Sequence, residues 1–112
     1  MKAEMETLDG EIVKVNLAGR LDAQGAEEIE QKLMDHAGTH RSVILDMKAV
    51  DFLSSAGIRV LIIVAKAVSR RAGKMVLLNP DANARKVLEI ASLERLIPIH
   101  ASLEEARRAV SV

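Results

Sequence analysis

Val60-Leu61-Ile62-Ile63-Val64-Ala65-Lys66-Ala67-Val68-Ser69-Arg70-Arg71-Ala72-Gly73 is the stretch on which the fold turns. Its first five residues have the apolar, β-branched composition of a buried strand, and so short a run does not separate strand from helix by periodicity. The continuation does. The segment runs on to helix length, carries cations in its last turn and stops at a glycine. The reading is a helix over residues 55–71, buried on most sides.

Working outward, Ser42 to Asp46 and Lys74 to Leu78 are short apolar runs that read as strands flanking that helix. Upstream, Val13, Val15 and Leu17 alternate with Lys14 and Asn16. Asp9-Gly10 interrupts the pattern, as expected of a two-residue hairpin turn that needs positive φ. Asp22 is placed to cap a helix with Ala26, Ile29, Leu33 and Ala37 at helical spacing and a Glu28–Lys32 pair on its wet face. Downstream, Asn79-Pro80 ends a strand, and Asp81 opens a helix to Ile90 with Val87, Leu88 and Ala91 facing inward. Leu96 to Ile99 reads as a short strand, and Ser102-Leu103-Glu104-Glu105 matches a capping box for a helix to about Val110. The alternation predicts an α/β fold: a mixed, mostly parallel β-sheet opened by a β-hairpin, with about four helices packed against it. The expectation is a single domain over residues 1–112.

Phe52 is the one aromatic residue, so the core is aliphatic and stacking platforms for single-stranded nucleic acid are missing. Sixteen basic residues balance sixteen acidic ones, which argues against direct nucleic-acid or membrane binding. The absence of cysteine removes thiol chemistry, disulfides and thiolate metal sites. No apolar run approaches bilayer length, and the expectation is a cytoplasmic protein, monomeric or weakly dimeric. His36 and His40 are four apart, but Gly38 lies between them and no acidic or cysteine ligand supports them, so no metal is expected. Arg70-Arg71-Lys74 and Arg107-Arg108 read as solvated helix ends.

The chemistry-bearing segment is Phe52-Leu53-Ser54-Ser55-Ala56-Gly57-Ile58-Arg59, where two hydroxyls stand between a strand and the long helix. One serine can simply be the N-cap, with Gly57 permitting close helix approach. A hydroxyl at a helix start is also a favourable place to carry a dianion, because free amides and the helix dipole face it.

Together, Gly19-Arg20-Leu21-Asp22, Leu45-Asp46, Phe52-Leu53-Ser54-Ser55-Ala56-Gly57-Ile58, Asn79-Pro80 and Leu96-Ile97-Pro98-Ile99 make the chain resemble the STAS domains, specifically the stand-alone anti-sigma factor antagonists of bacterial partner switching. The resemblance implies a hairpin feeding a mixed sheet with helices on one face. It implies an anti-sigma factor serine kinase as partner, phosphorylation at Ser55, and reset by a serine phosphatase. The unmodified form would hold the kinase and release its sigma factor; the phosphorylated form would let go. Asp22, Ser54, Ser55, Ala56, Gly57 and Arg59 would make up the partner-binding surface. No cofactor and no catalysis are implied, since ATP belongs to the kinase.

The chain departs from the family at three places. Many members have an acidic residue where Ser54 stands, which makes Ser54 a competing acceptor. Many have a second glycine where Arg59 stands, so Arg59 can alter partner choice or contact the phosphate. Ser92 replaces a helix-ending glycine, at a cost in stability if the backbone there is left-handed. Two other readings stay open: a constitutive STAS scaffold, and a receiver-like domain phosphorylated on Asp46, which would need acidic metal ligands that the first strands do not supply.

Overall fold

Ile12, Val13, Val15 and Leu17 are buried almost completely, and their strand organises the sheet. The computed structural model describes residues 1–111. Its elements are β1 (Lys2–Thr7), β2 (Ile12–Leu21), α1 (Ala23–Thr39), β3 (Ser42–Leu53), α2 (Ser55–Arg70), β4 (Met75–Leu78), α3 (Ala82–Ile90), a 3-10 turn (Leu93–Arg95), β5 (Ile99–His100) and α4 (Leu103–Val110). The sheet order is β1-β2-β3-β4-β5, with β1 antiparallel to β2 and every other pairing parallel.

Because the order advances in one direction and parallel crossovers are right-handed, α1, α2 and α3 fall on the same face. Val13, Val15, Val43, Leu45, Met75 and Leu77 meet them there. The opposite parity, Ile12, Ile44, Val76 and Leu78, is covered by Ala106 and Val110 of α4. The expectation of helices on one face is therefore corrected: α4 crosses to the other. The strand order also never reverses, so the sheet lacks the switch-point crevice in which open α/β sheets seat ligands.

The helix over 55–71 forms as Ser55–Arg70. It is not buried on most sides: Val60, Leu61, Val64 and Val68 are sealed, whereas Ile58, Ile62 and Ile63 are only half-buried. Each sealed side chain is worth about 1.5–3 kcal/mol relative to exposure. At its C-terminus Ala72, not Gly73, takes the left-handed backbone (φ 62°). Gly73 is required for space, because a Cβ there would collide with the Arg41 carbonyl oxygen. Arg71 is exposed, as a solvated helix end would be, and does more: its Nη2 donates to the Ala37 carbonyl and, at 2.9 Å, to that of His40, tying off the end of α1.

Other local expectations shift for identifiable reasons. The β1–β2 connection spans residues 8–11, and the Asp9 carboxylate accepts from the Glu11 and Ile12 amides at 2.8 and 3.0 Å; Gly10 has no positive φ. Strand β3 continues seven residues past Asp46, to Leu53, through two register shifts against β2, the second beside Gly19 (φ 113°). Ala91 is exposed, and Ala84 takes the inward place beside Leu88. The expected strand over 96–99 is found later and shorter, at Ile99–His100, because the chain is still turning through the 3-10 segment and the Ile97 N–H bond to the Leu93 carbonyl, which bury Leu93 and Ile97 first. Glu28 Oε1 lies 3.1 Å from the Met1 amino group, and no Glu28–Lys32 pair forms. Ser92 is left-handed (φ 54°, ψ 34°), so the missing glycine does impose strain there.

Candidate functional site

Two helix starts meet at one residue, Leu21. At the end of β2, Leu21 pairs with Leu53 at the end of β3, and both are buried. The next residue on one side is Asp22, whose Oδ1 accepts from Gly25 N at 2.8 Å and caps α1. The next on the other side is Ser54, whose Oγ accepts from Gly57 N at 3.2 Å and caps α2. The Leu21 carbonyl accepts both from Ser54 N, at 3.0 Å, and from Ser54 Oγ, at 2.8 Å.

These bonds divide the two serines. The Ser54 hydroxyl is half-buried and uses its proton on Leu21 and a lone pair on Gly57. Ser55, the first helical residue, is exposed, and its hydroxyl has no hydrogen-bond partner among the described residues. Gly57 is buried where the helix start touches the end of β2, and a Cβ there would lie 2.6 Å from Leu21 Cγ and 2.8 Å from Leu21 O. Gly57 is thus a packing residue beneath the surface, whereas Ala56 is half-buried and lines the groove between α1 and α2.

Charge is distributed unevenly about the two helix starts. Asp22 holds its proton less tightly than an ordinary aspartate, first because the Gly25 amide donates to it and further because Arg20 stands nearby, with Nε 3.5 Å from Oδ2. The first turn of α2 contains no acidic residue. One turn on, Arg59 projects outward, 68% exposed, with Nη2 3.7 Å from Glu30 Oε1 of α1.

Sequence reasoning did not single out Arg20 or Glu30, nor Phe52 as more than part of a motif. The Arg20 guanidinium lies 4.3 Å from the centroid of the Phe52 ring, which is 41% exposed. The available signal was that the chain's one aromatic residue sits beside the serines instead of in a core otherwise aliphatic.

Asp46 does not join this site. It follows the parity of Ile44, on the sheet face opposite α2, and is 3% exposed. Its Oδ2 lies 3.4 Å from Lys14 Nζ and 3.6 Å from Lys48 Nζ. A carboxylate so enclosed is a structural charge, which corrects its reading as an accessible phosphoacceptor. His40 lies just beyond α1, its Nδ1 2.8 Å from Thr39 Oγ1, and no cluster of three or more metal-ligating side chains occurs among the described residues. No helix among them is long and apolar enough to cross a membrane.

The model of the STAS domain matches residues 2–106. A Bordetella bronchiseptica protein assigned as an anti-sigma factor antagonist, BtrV, is 34% identical over 110 residues, covering 97% of this chain and 94% of its own. The solved structure of the anti-sigma factor antagonist SpoIIAA in its unphosphorylated form is similar in fold, with a TM-score of 0.80 at 24% identity over 96% of both chains. The phosphorylated form of SpoIIAA from Bacillus has a TM-score of 0.73 at 24% identity, over 96% of this chain and 99% of its own.

Proposed function

The chain belongs to the STAS domain family, and on that premise we propose that it is an anti-sigma factor antagonist whose grip on an anti-sigma serine kinase is switched by phosphorylation of Ser55. The single observation that carries the choice of residue is the contrast between the two hydroxyls: Ser54 is committed to Leu21 and Gly57, and Ser55 is exposed and free.

In the proposed cycle, the unmodified protein binds the kinase through the surface around the start of α2 and displaces its sigma factor. The kinase transfers the γ-phosphoryl group of ATP to Ser55 Oγ. The new O–P bond forms as the bond to the β-phosphate oxygen breaks, ADP leaves, and the hydroxyl proton passes to a base of the kinase. The product carries about −1.5 to −2 of added charge. Helix α2 tolerates that charge, because its first turn has free amides and no acid. The interface does not, since like-charge repulsion and desolvation act on the bound partner; a loss of about a hundredfold or more in affinity, roughly 3 kcal/mol, is the expected scale. A serine phosphatase restores the hydroxyl by hydrolysis. Exposed Phe52, with Arg20 over it, fits the aromatic and arginine character of an interface anchor.

The test is phosphosite mapping by mass spectrometry after incubation with ATP and source-cell extract, on wild type, Ser55→Ala and Ser54→Ala. Phosphate that disappears only in Ser55→Ala is the expected result. Phosphate retained in Ser55→Ala and lost in Ser54→Ala would overturn the assignment. Absence of phosphate from both, in extract with demonstrated kinase activity, would leave a constitutive binding module.

A further inference from the structure

We propose that Arg59 is the intramolecular partner of a phosphate on Ser55, and that modification draws its guanidinium away from Glu30 of α1. The inference rests on the reading of Ser55 as acceptor and adds a second moving charge to the switch.

Residues four apart on a helix are neighbours, with Cβ atoms about 5–6 Å apart, and an anion N-terminal to a cation is the favourable order. Ser55 and Arg59 have that spacing and order, both on the exposed side of α2. The present partner of Arg59 holds it weakly: the contact to Glu30 is 3.7 Å long, with side chains 68% and 39% exposed. A phosphate dianion offers more charge than that carboxylate and oxygens matched to the guanidinium fork, so it competes well.

The exchange would be felt across the groove between α1 and α2, lined by Ala26, Glu27, Glu30, Ala56 and Arg59, with a volume of about 430 Å³. Before modification, Arg59 neutralises Glu30 at the groove's edge. Afterwards Arg59 is engaged by phosphate and Glu30 stands bare. A partner that docks over both helices therefore meets three altered charges from one modification, and the change reaches α1 without backbone movement.

The test uses protein with phosphoserine installed at position 55 during synthesis, so it does not depend on any kinase. Phosphorus NMR titration of wild type and Arg59→Ala reads the second phosphate pKa, and the Arg59 Nε–H signal is compared with and without phosphate. The exchange predicts a pKa about half a unit higher in Arg59→Ala, a threefold change in proton affinity, and a displaced Nε–H signal in the wild type. Agreement of the two pKa values to about a tenth of a unit, with the Nε–H signal unmoved, would overturn it. Equal melting temperatures of the unmodified proteins would establish that the exposed substitution leaves the fold intact. Because the phosphate is installed, this outcome is separable from kinase-dependent mapping: either result can fail while the other stands.

Discussion

Helices α2 and α4 begin with the same device and are equipped for different ends. Ser54 caps α2 through Gly57 N and Ser102 caps α4 through Glu105 N, each at 3.2 Å. At α4 the hydroxyl faces solvent and the first turn already carries Glu104 and Glu105. At α2 the cap hydroxyl is also bonded to the Leu21 carbonyl, the first turn has no acid, and the next residue is a free serine with an arginine one turn on. A serine cap alone is therefore not a switch. What distinguishes α2 is a cap locked to the sheet beside a vacant, positively biased first turn, which lets charge be added without disturbing the helix.

The most severe way to break the contrast is at Gly57. An alanine Cβ would lie 2.6 Å from Leu21 Cγ and 2.8 Å from Leu21 O, so the helix start must lift from β2. Gly57→Ala is expected to cost about 1–3 kcal/mol. It should lower the melting temperature by roughly 4 °C per kcal/mol, measured by thermal unfolding.

Next comes the pair of caps. Ser102→Ala removes one exposed capping bond and should cost about 0.5–1 kcal/mol. Ser54→Ala removes the cap and also one of the two donors to the Leu21 carbonyl, for about 1–2 kcal/mol. Urea unfolding of the two mutants should rank them in that order; equal costs would mean that the bond to Leu21 contributes nothing and that the two starts are alike.

The sequence made this comparison half legible. The Ser102 cap, a serine cap at the start of α2 and the helix over 55–71 are local matters of side-chain type and spacing and are found close to the expected places, whereas the sequence leaves open the choice of Ser54 as the cap and the left-handed backbone at Ser92. The strand feeding α2 was not legible past Asp46, because Met47, Val50 and Leu53 are buried at intervals of three, a spacing that conceals a strand. Two register shifts against β2 produce that interval, and they depend on a neighbour distant in sequence. The same limit hid the Arg59–Glu30 pair, which exists only once α1 and α2 are packed side by side, and the bond from Ser54 to Leu21, which exists only once the ends of β2 and β3 are paired. Ser55 could be named as a candidate, but its freedom relative to Ser54 is a tertiary fact.

Asp22 sharpens the comparison from the other helix that starts at Leu21. Its carboxyl is more acidic than normal because Gly25 N, then Arg20, favour the ionised form. A carboxyl whose folded pKa is lowered adds stability above the ordinary carboxylate value, and that stability is lost as pH falls through the folded pKa. Asp22→Asn keeps a good cap and removes only the charge. The stability difference between wild type and Asp22→Asn should therefore be present at neutral pH and shrink below about pH 4. Urea midpoints measured across that range check it, and a pH-independent difference would assign the effect to hydrogen-bond geometry instead of charge.

The smallest expected effect is the one that separates switching from unfolding. Ser55→Asp places a carboxylate in the first turn of α2, which has none, and should stabilise the protein by about 0.3–1 kcal/mol at low salt. Leu103→Asp, at the equivalent position of α4, adds a third carboxylate beside Glu104 and Glu105 and removes a partly exposed apolar contact, so it should not stabilise. The gain from Ser55→Asp should fade as salt screens the dipole. Chemical denaturation in low and high salt reads both. If Ser55→Asp is at least as stable as wild type while its binding to the kinase is weakened, the weakening belongs to the interface. If it unfolds more easily, α2 does not accept charge at its start, and the proposed tolerance of a phosphate there fails with it.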